Sequence, residues 1–334
     1  MSKSAATNAV VVGATGYVGS AVTKALSEHG LSIKCTSRDV QKASWLKDLG
    51  SGVEVVYLQL SDGDNTIHQL REMMRGSDMV FFCAGFEEQS PSTIEFMVTN
   101  ALAVIQAAKE AEVSTVVLTS SGGSTNPRGL QDSTPKSETL HFSDPDDQIK
   151  RGRYSPAAKT LMEIKSLEAV GRNHKNEVVD EELAKASSTP RLVILNPNLI
   201  LGPQLDPGPI KGNSLPWMAK ILKKETMAEF VPNDSMSIID VRDLAELHVA
   251  AALNPEADGR YFGVNRSFSW KEILTEFSEA FPSYTPPPLR PGEEYGKIPT
   301  QFDHTRKNSL GVTLRPLQDT LRDLVAFFKS KGAI

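Results

Sequence analysis

The sequence predicts an α/β protein built on a doubly wound parallel sheet, and three observations favour this fold. Short apolar runs alternate with helical patterns over residues 9–195. Several of these runs are rich in β-branched or aromatic residues, which is typical of central strands buried on both faces. A glycine-rich turn follows the first run. Together these features are typical of a parallel sheet with helices on both faces.

The first unit consists of a strand, a glycine turn and a helix. Apolar residues 9–12 precede Gly13, Gly16 and Gly19, and a helical pattern continues to Gly30. Such a turn lets the backbone approach a pyrophosphate closely, and the N–H groups and positive dipole end of the helix bind its charge. The unit therefore predicts a Rossmann dinucleotide site, although a purely structural corner is the alternative. The predicted cofactor contacts in this turn are Gly13, Thr15, Gly16, Tyr17, Val18 and Gly19.

The other elements continue this alternation. Further strands are predicted at residues 31–36, 53–58, 79–83, 115–119 and 191–195, with helices at 66–75, 92–111 and 157–170. After the strand at 237–239, Asp243 is expected to cap the next helix, and Ser269 is expected to cap a helix at 270–281. Helices are also predicted at 217–224 and 317–331, with a surface insertion at 174–189.

Two regions are predicted from these elements. Residues 1–202 plus 233–263 form the dinucleotide-binding domain, and residues 203–232 plus 264–334 form a smaller substrate-binding region. The Pro/Gly-rich stretch at 203–216 suits a substrate loop. A chain of 334 residues with 40% hydrophobic content can bury the core that this arrangement needs.

Charge and composition exclude several classes of function. The net charge of −5 lacks the basic excess of a nucleic-acid binder. The sequence holds no run of apolar residues long enough to span a membrane, so the expected location is the cytoplasm and the expected partner a small molecule. The two cysteines and six histidines show no ligand spacing, so no metal site is predicted. His248 is expected on a helix surface.

The end of the second strand predicts which dinucleotide binds. In such units the residue after this strand meets the adenosine ribose, as an acid for NAD or a base for NADP. Here the strand ends in Ser37 and Arg38, so a guanidinium can pair with a 2′-phosphate while the serine donates a hydrogen bond. The predicted cofactor is therefore NADP(H). The alternative is that Arg38 is an ordinary solvated arginine, and Lys42 is a second candidate.

The motifs along the chain resemble the extended short-chain dehydrogenase/reductase superfamily, in particular its dihydroflavonol reductase and cinnamoyl-CoA reductase group. The motifs are GATGYVG at 13–19, TSS at 119–121, NPNLILGP at 196–203, VRDLA at 241–245, GRY at 259–261, LGV at 310–312 and RPL at 315–317. The resemblance covers nearly the whole chain. It implies reduction of an aldehyde or ketone by hydride transfer from NADPH, in a reaction that is reversible as an alcohol dehydrogenase.

The resemblance also implies the roles of individual residues. Ser121 would hydrogen-bond the substrate oxygen, Tyr154 would be the general acid, and Lys159 would lower the pKa of the tyrosine and bind the nicotinamide ribose. Further cofactor contacts are implied for Leu60, Ala84, Gly85 and Pro197.

The tyrosine departs from the family pattern. The family motif Y-x-x-x-K places both side chains on one helix face, but Tyr154 lies five residues before Lys159 and Ser155 occupies the expected position. On an ideal helix the pair would be about 140° apart. Ser155 and Pro156 suit an N-cap and first helical residue, so Tyr154 is expected just before the helix, where its ring can turn toward Lys159. The alternative is a packing role for Tyr154.

Two other functions remain open. One is a nucleotide-sugar or sterol epimerase or dehydrogenase of the same fold. The other is a non-catalytic NADP-binding sensor, suggested by the displaced tyrosine, because a fold alone does not prove catalysis. The identity of the substrate and the oligomeric state do not follow from the sequence.

Overall fold

A computed structural model describes residues 8–60, 63–85, 88–128 and 134–334. The strands, numbered β1 to β10 in chain order, are Asn8–Val12, Ser32–Ser37, Val53–Tyr57, Met79–Phe82, Thr115–Thr119, Arg191–Pro197, Leu199–Leu201, Ser235–Asp240, Gly259–Gly263 and Arg266–Ser269. The helices, numbered α1 to α11, are Tyr17–Glu28, Asp64–Met74, Pro91–Glu110, Pro145–Lys150, Tyr154–Glu168, Glu181–Lys185, Ser214–Leu222, Val241–Leu253, Trp270–Ala280, Thr305–Asn308 and Leu317–Ser330. Two 3-10 helices are Ser44–Leu49 and Gly122–Thr125.

A parallel sheet forms the centre of the molecule. Within the described residues it has seven strands in the order β3-β2-β1-β4-β5-β6-β9, and each neighbouring pair is parallel. The order reverses between β1 and β4, and ligands of open α/β sheets bind at such a switch point, beyond the carboxyl ends of the strands. The predicted doubly wound fold is confirmed.

Helices cover both faces of this sheet. Because side chains alternate along a strand, Val11 of β1 packs on one face with α1 and α8, while Val10 and Val12 pack on the other with α2, α3 and α5. The strands β4 and β5 are buried along their whole length. This explains why they appear in the sequence as continuous apolar runs.

A second, smaller sheet lies against a separate core. It contains β10, β8 and β7, with β8 antiparallel to β10 and parallel to β7. The helices α7, α9 and α11 contribute Met218, Phe277 and Leu324 to its core. The division into two regions and the cytoplasmic location stay predictions. Within the described ranges, no helix has the length and apolar character that crossing a membrane requires.

The start of α8 differs from the prediction. Asp240, not Asp243, is the N-cap, and its carboxylate accepts a hydrogen bond from the backbone N–H of Arg242 at 2.9 Å. Asp243 is buried in the first turn, where it accepts from the backbone N–H of Arg315 at 2.6 Å and pairs with its guanidinium. The prediction was wrong because the partner of Asp243 comes from a distant segment. By contrast, Ser269 caps α9 as predicted.

Candidate active site

The glycine turn is packed too closely for any side chain at two positions. Gly13 has a φ of +84°, and a Cβ there would lie 2.6 Å from the backbone nitrogen of Ala84. A Cβ on Gly19 would overlap the carbonyl oxygen of Gly13. The N-terminus of α1 carries no side-chain cap, so its first N–H groups are available to an anion. The turn therefore fits a dinucleotide pyrophosphate.

The side chains of this turn are only partly available to a ligand. Thr15 and Val18 are half-buried. The Tyr17 hydroxyl donates to the carbonyl oxygen of Gly202 at 2.8 Å, and burial raises the pKa of this phenol. Tyr17 thus joins the glycine turn to the end of β7, and only its backbone and ring are left for the predicted cofactor contact.

The end of β2 presents an unpaired cation. Arg38 is exposed, and within the described residues its guanidinium has neither a hydrogen bond nor an ion pair. The neighbouring acid Asp39 is 3.4 Å from the Lys42 ammonium, so its charge is offset. The Ser37 hydroxyl donates to the carbonyl oxygen of Asp39 at 2.9 Å. Leu60, half-buried, follows the adjacent strand β3.

The carboxyl ends of β4, β5 and β6 bring the other predicted residues to one edge of the sheet. Ala84 is buried and Gly85 exposed after β4, while Pro197 is buried at the end of β6. The Lys159 ammonium donates to the carbonyl oxygen of Thr119, the last residue of β5, at 2.7 Å. Lys159 therefore lies at the same edge of the sheet as Ala84, whose backbone contacts the glycine turn.

Lys159 is an unusually acidic ammonium. Burial lowers its pKa to about 8, although the neighbouring Cys83 and Glu163 raise it. Cys83, between β4 and Ala84, is a free thiol whose pKa burial raises to about 11. At neutral pH Lys159 is thus still mostly a cation, and it lies where little water competes with it for a ligand.

Ser121 follows β5 and caps a short 3-10 helix. Its Oγ accepts a hydrogen bond from the backbone N–H of Gly123 at 3.0 Å. Among the described residues no acceptor is found for its own O–H, so this donor is free for a ligand. Ser121 lies two residues after Thr119, which binds Lys159.

The start of α5 corrects the expectation for Tyr154. Arg153 is the N-cap and Tyr154 the first helical residue, so the prediction that Ser155 and Pro156 begin the helix was wrong. A proline fits within the first turn because the N–H groups there have no intrahelical partner. The Ser155 N–H instead lies 3.3 Å from the side-chain oxygen of Gln89.

The first turn of α5 nevertheless lies beside the serine. A Cβ on Gly123 would be 3.1 Å from Cβ of Pro156, so the helix start packs against the turn that Ser121 caps. Tyr154 is half-buried, and its hydroxyl has no hydrogen-bond partner within the described part of the chain. The structure thus brings Ser121 and Lys159 to one edge of the sheet and leaves Tyr154 about 140° from Lys159 around the helix.

Sequence reasoning missed the environment of His248, which is fully buried rather than on a helix surface. Its Nε2 lies 2.8 Å from the Thr119 hydroxyl and its Nδ1 lies 2.7 Å from the carbonyl oxygen of Leu244. A carbonyl only accepts, so Nδ1 carries the hydrogen and Nε2 accepts from Thr119. His248 thus supports the strand end that binds Lys159. The signal in the sequence that could have indicated this burial is the set of apolar residues on both sides of His248 in α8.

Acid should destabilise the fold through His248. Burial lowers its pKa from 6.5 to about 4, so as pH falls the unfolded chain binds a proton before the folded chain does. The free energy of unfolding therefore decreases as pH falls from about 6.5 to about 4. From about pH 7 to about pH 4.5 the loss is roughly 2 to 3 kcal/mol. Urea unfolding at both pH values should show a smaller loss for His248→Gln, which keeps an acceptor for Thr119.

The exposed His68 provides the control. His68→Gln should lose as much stability in acid as the unmodified chain. An acid loss that is equal in His248→Gln and the unmodified chain would show that His248 does not titrate in this window.

The chain is similar to several proteins of known function. A family model described as NAD(P)H-binding matches residues 13–151. Cinnamoyl-CoA reductase 1 from Arabidopsis thaliana is 30% identical over 326 residues, which cover 96% of this chain and 89% of that protein. Tetraketide alpha-pyrone reductase 2 from the same plant is 25% identical, over 97% of this chain and 99% of that protein. The solved structure of yeast methylglyoxal/isovaleraldehyde reductase complexed with NADPH matches with a TM-score of 0.80 at 20% identity, covering 98% of this chain and 100% of that one.

The fold and the matched family model define an NAD(P)H-binding oxidoreductase. More closely, the chain belongs to the extended short-chain dehydrogenase/reductase superfamily, in the group of the cinnamoyl-CoA and dihydroflavonol reductases. The predicted family, the nicotinamide dinucleotide cofactor and the class of carbonyl-reducing enzyme are confirmed.

Proposed function

We propose that this protein reduces an aldehyde or ketone with NADPH, with Ser121, Tyr154 and Lys159 as its catalytic residues. The observation that carries the proposal is the position of Lys159. Its ammonium is bound to the end of β5, and two residues later follows Ser121, whose O–H has no acceptor among the described residues. A cation and a hydroxyl donor at the carboxyl edge of the sheet are what a developing alkoxide requires.

The bound NADPH would supply the hydride. As negative charge grows on the substrate oxygen, the Ser121 hydroxyl donates a hydrogen bond to it. The Lys159 ammonium lies in a site poor in water, where its positive charge stabilises the anion more than it would in solvent. Ser121 holds the oxygen, the charge of Lys159 lowers the pKa of the proton donor, and a third group must protonate the oxygen.

Tyr154 is proposed as that proton donor. It lies in the first helical turn, which packs against the serine turn, and its hydroxyl is not committed to another described residue. A tyrosine side chain extends well beyond its own turn, so a residue at a helix end can reach a ligand that its backbone angle alone does not face. Ser155, one turn before Lys159, is the competing hydroxyl, and its much higher intrinsic pKa makes it the poorer acid.

Arg38 supports NADPH over NADH. Its guanidinium is exposed and unpaired among the described residues at the end of β2, the position that meets the adenosine ribose in this fold. A 2′-phosphate would gain a charge-assisted, bidentate partner there. The remaining proposed contacts are the glycine turn, Ser37, Leu60, Ala84, Gly85 and Pro197.

A non-catalytic NADP-binding sensor is the second candidate. It is favoured by one observation, the placement of Tyr154 inside α5, where the regular helix turns it away from Lys159. The proposed reductase and the sensor bind the same cofactor, so only turnover distinguishes them.

The test is NADPH oxidation, followed by absorbance, with aromatic, aliphatic and CoA-linked carbonyl compounds. Turnover is expected, with Tyr154→Phe lowering kcat and Ser155→Ala leaving it near the unmodified value. The reverse pattern would assign the proton to Ser155. Tight NADPH binding without turnover of any carbonyl compound would reject the reductase and support the sensor.

A further inference from the structure

A buried ion pair lies directly behind the serine turn. Glu163 of α5 and Arg260 of β9 have side chains only 5% and 2% exposed, and Arg260 Nε lies 2.8 Å from Glu163 Oε2. Glu163 is one helical turn beyond Lys159 on the same face of α5. Neither residue is part of the proposed catalytic set, and both are too well buried to meet a substrate.

The second carboxylate oxygen of Glu163 binds three polar side chains. The hydroxyls of Ser120 and Ser124 donate to Oε1, and Asn196 Nδ2 lies 2.7 Å from the same atom. We name these five residues, Glu163, Arg260, Ser120, Ser124 and Asn196, the Glu163 cluster. Its members come from four separate segments of the chain, so the cluster ties the segment after β5, together with β6 and β9, to α5.

The guanidinium of Arg260 has further polar contacts through its two Nη atoms, whereas Nε contacts Glu163 as an ion pair without hydrogen-bond geometry. Its Nη1 donates to the carbonyl oxygens of Glu138 and His141 at 3.0 and 3.1 Å, and its Nη2 donates to that of Ser124 at 3.1 Å. Its plane lies over the ring of Phe142 at 4.2 Å. The Glu163 Oε1 atom and both Nη atoms of Arg260 thus have directional partners, which restrict the geometry of the pair.

The cluster holds the backbone of Ser121 through two contacts. The carbonyl oxygen of Ser121 is 2.7 Å from the Ser124 hydroxyl and 3.2 Å from Asn196 Nδ2. Asn196 Nδ2 has two hydrogens and can donate to Ser121 and to Glu163 Oε1 together, whereas the single hydroxyl hydrogen of Ser124 is shared between these two acceptors. Glu163 thus fixes the two side chains that fix the Ser121 peptide, while the hydroxyl of Ser121 points to a different partner, the N–H of Gly123.

We propose that Glu163, with Arg260 as its counter-ion, is a positioning residue that holds the Ser121 hydroxyl in its reactive place. This inference rests on the proposed function, since it assumes that Ser121 binds the reacting oxygen. A hydrogen bond made only in the transition state loses its effect when its donor is displaced by a fraction of an ångström. A buried ion pair is a poor way to gain stability, whereas its directional contacts favour one arrangement.

Ser124→Ala tests the proposal without exposing an unpaired charge. The obvious change, removal of Glu163, would leave Arg260 buried without a counter-ion and could prevent folding. Ser124→Ala removes one of the two links between Glu163 and the Ser121 peptide, keeps the link through Asn196 and leaves the ion pair intact. We expect kcat to fall about fivefold, because Ser121 is less well held, while the Kd of NADPH measured by fluorescence stays unchanged.

Ser166→Ala is the matched control. Ser166 is fully buried on the same helix, and its hydroxyl has no hydrogen-bond partner among the described residues. The same chemical change there should leave kcat unaltered. A fall in kcat equal to that of Ser124→Ala would mean that any buried serine in this core affects the reaction, and would overturn the proposal.

The double variant Ser121→Ala/Ser124→Ala decides whether Ser124 acts through Ser121. If it does, the Ser124 change has no further effect once the Ser121 hydroxyl is gone. An undiminished fivefold effect in the Ser121→Ala background, or no effect in the unmodified one, would overturn the positioning role. If Ser121→Ala alone leaves kcat unaltered, the proposed function of Ser121 fails instead.

A last variant distinguishes a positioning role of the Glu163–Arg260 pair from a purely structural role. Glu163→Met/Arg260→Met replaces the pair by apolar side chains of similar length, which usually preserves folding. The unfolding midpoint should fall, because buried polar groups lose their partners, but the chain should stay folded at the assay temperature with its Kd for NADPH, and kcat should fall at least as far as in Ser124→Ala. Full activity in this folded variant would show that the pair has only a structural role.

Discussion

Replacement of Lys159 by methionine is expected to lower kcat for carbonyl reduction about 1000-fold, the range of a lost acid-base and charge contribution together. The chain should remain folded and should still bind NADPH. Methionine keeps the length of the side chain and removes its charge and its donors. Because the ammonium is buried at an energetic cost, shown by the lowering of its pKa to about 8, its loss should not lower the free energy of unfolding much.

The same residue predicts the pH dependence of the unmodified enzyme. Lys159 is charged below its pKa and neutral above it, so kcat/KM should be level near neutrality and fall as pH rises through about 8. The groups around the ammonium are Cys83 and Glu163, which both raise its pKa, and the carbonyl oxygen of Thr119. Lys159→Met should keep only a low, pH-independent rate across this range.

The control for this prediction lies on the same helix. Lys165 is half exposed and pairs with Glu168 at 2.8 Å, so Lys165→Met removes an equal charge from the surface. Steady-state rates of this variant should equal those of the unmodified chain. If Lys159→Met turns over at a normal rate, Lys159 is not part of the catalytic machinery and the proposed mechanism is wrong.

The parts of the fold that could be predicted are those that depend on neighbouring residues. The strand Thr115–Thr119 was predicted with its observed ends, and Gly13 and Gly19 mark a turn whose backbone leaves no room for a Cβ. Apolar runs and glycine turns are local signals, because the hydrophobic period and the required φ are read within a few residues. The order of the strands was not predicted, because the rule of right-handed crossovers fixes the hand of each connection and not which strands are neighbours.

The parts that could not be predicted depend on partners far along the chain. Asp243 looked like a helix cap until Arg315 proved to be its partner, and His248 looked exposed although Thr119 lies against it. Glu163 was not singled out, and Arg260 appeared only within the GRY motif, since a charged residue in a helix or strand is usually on the surface. Only the fold shows that these charges neutralise one another behind Ser121.

The start of α5 was wrongly predicted for a related reason. Ser155 and Pro156 form a good local signal for a helix start, but the observed helix begins at Tyr154. Within a first turn several residues satisfy the same local rules, so packing against the serine turn decides between them. This difference matters, because it determines the direction in which the side chain of Tyr154, the proposed acid, projects from α5.

Arg38→Ala should change the cofactor preference. We expect the Kd of NADPH to rise roughly tenfold to a hundredfold, which corresponds to the loss of one charge-assisted contact. The Kd of NADH should stay within about twofold, since NADH lacks the 2′-phosphate that Arg38 is proposed to bind. Fluorescence titration of the purified chain with each cofactor measures both values, independently of any substrate.

Lys42→Ala distinguishes Arg38 from its neighbouring cation. Lys42 is occupied by Asp39, which it approaches to 3.4 Å, so its removal should weaken NADPH binding by less than about threefold. If Lys42→Ala weakens NADPH binding more than Arg38→Ala does, the 2′-phosphate lies against Lys42. If Arg38→Ala weakens the binding of NADPH and of NADH equally, Arg38 acts through the adenine or through the fold. In that case no residue at the end of β2 selects NADPH. Neither result is expected, because the Arg38 guanidinium has no partner in the described part of the chain and the charge of Asp39 is offset by Lys42.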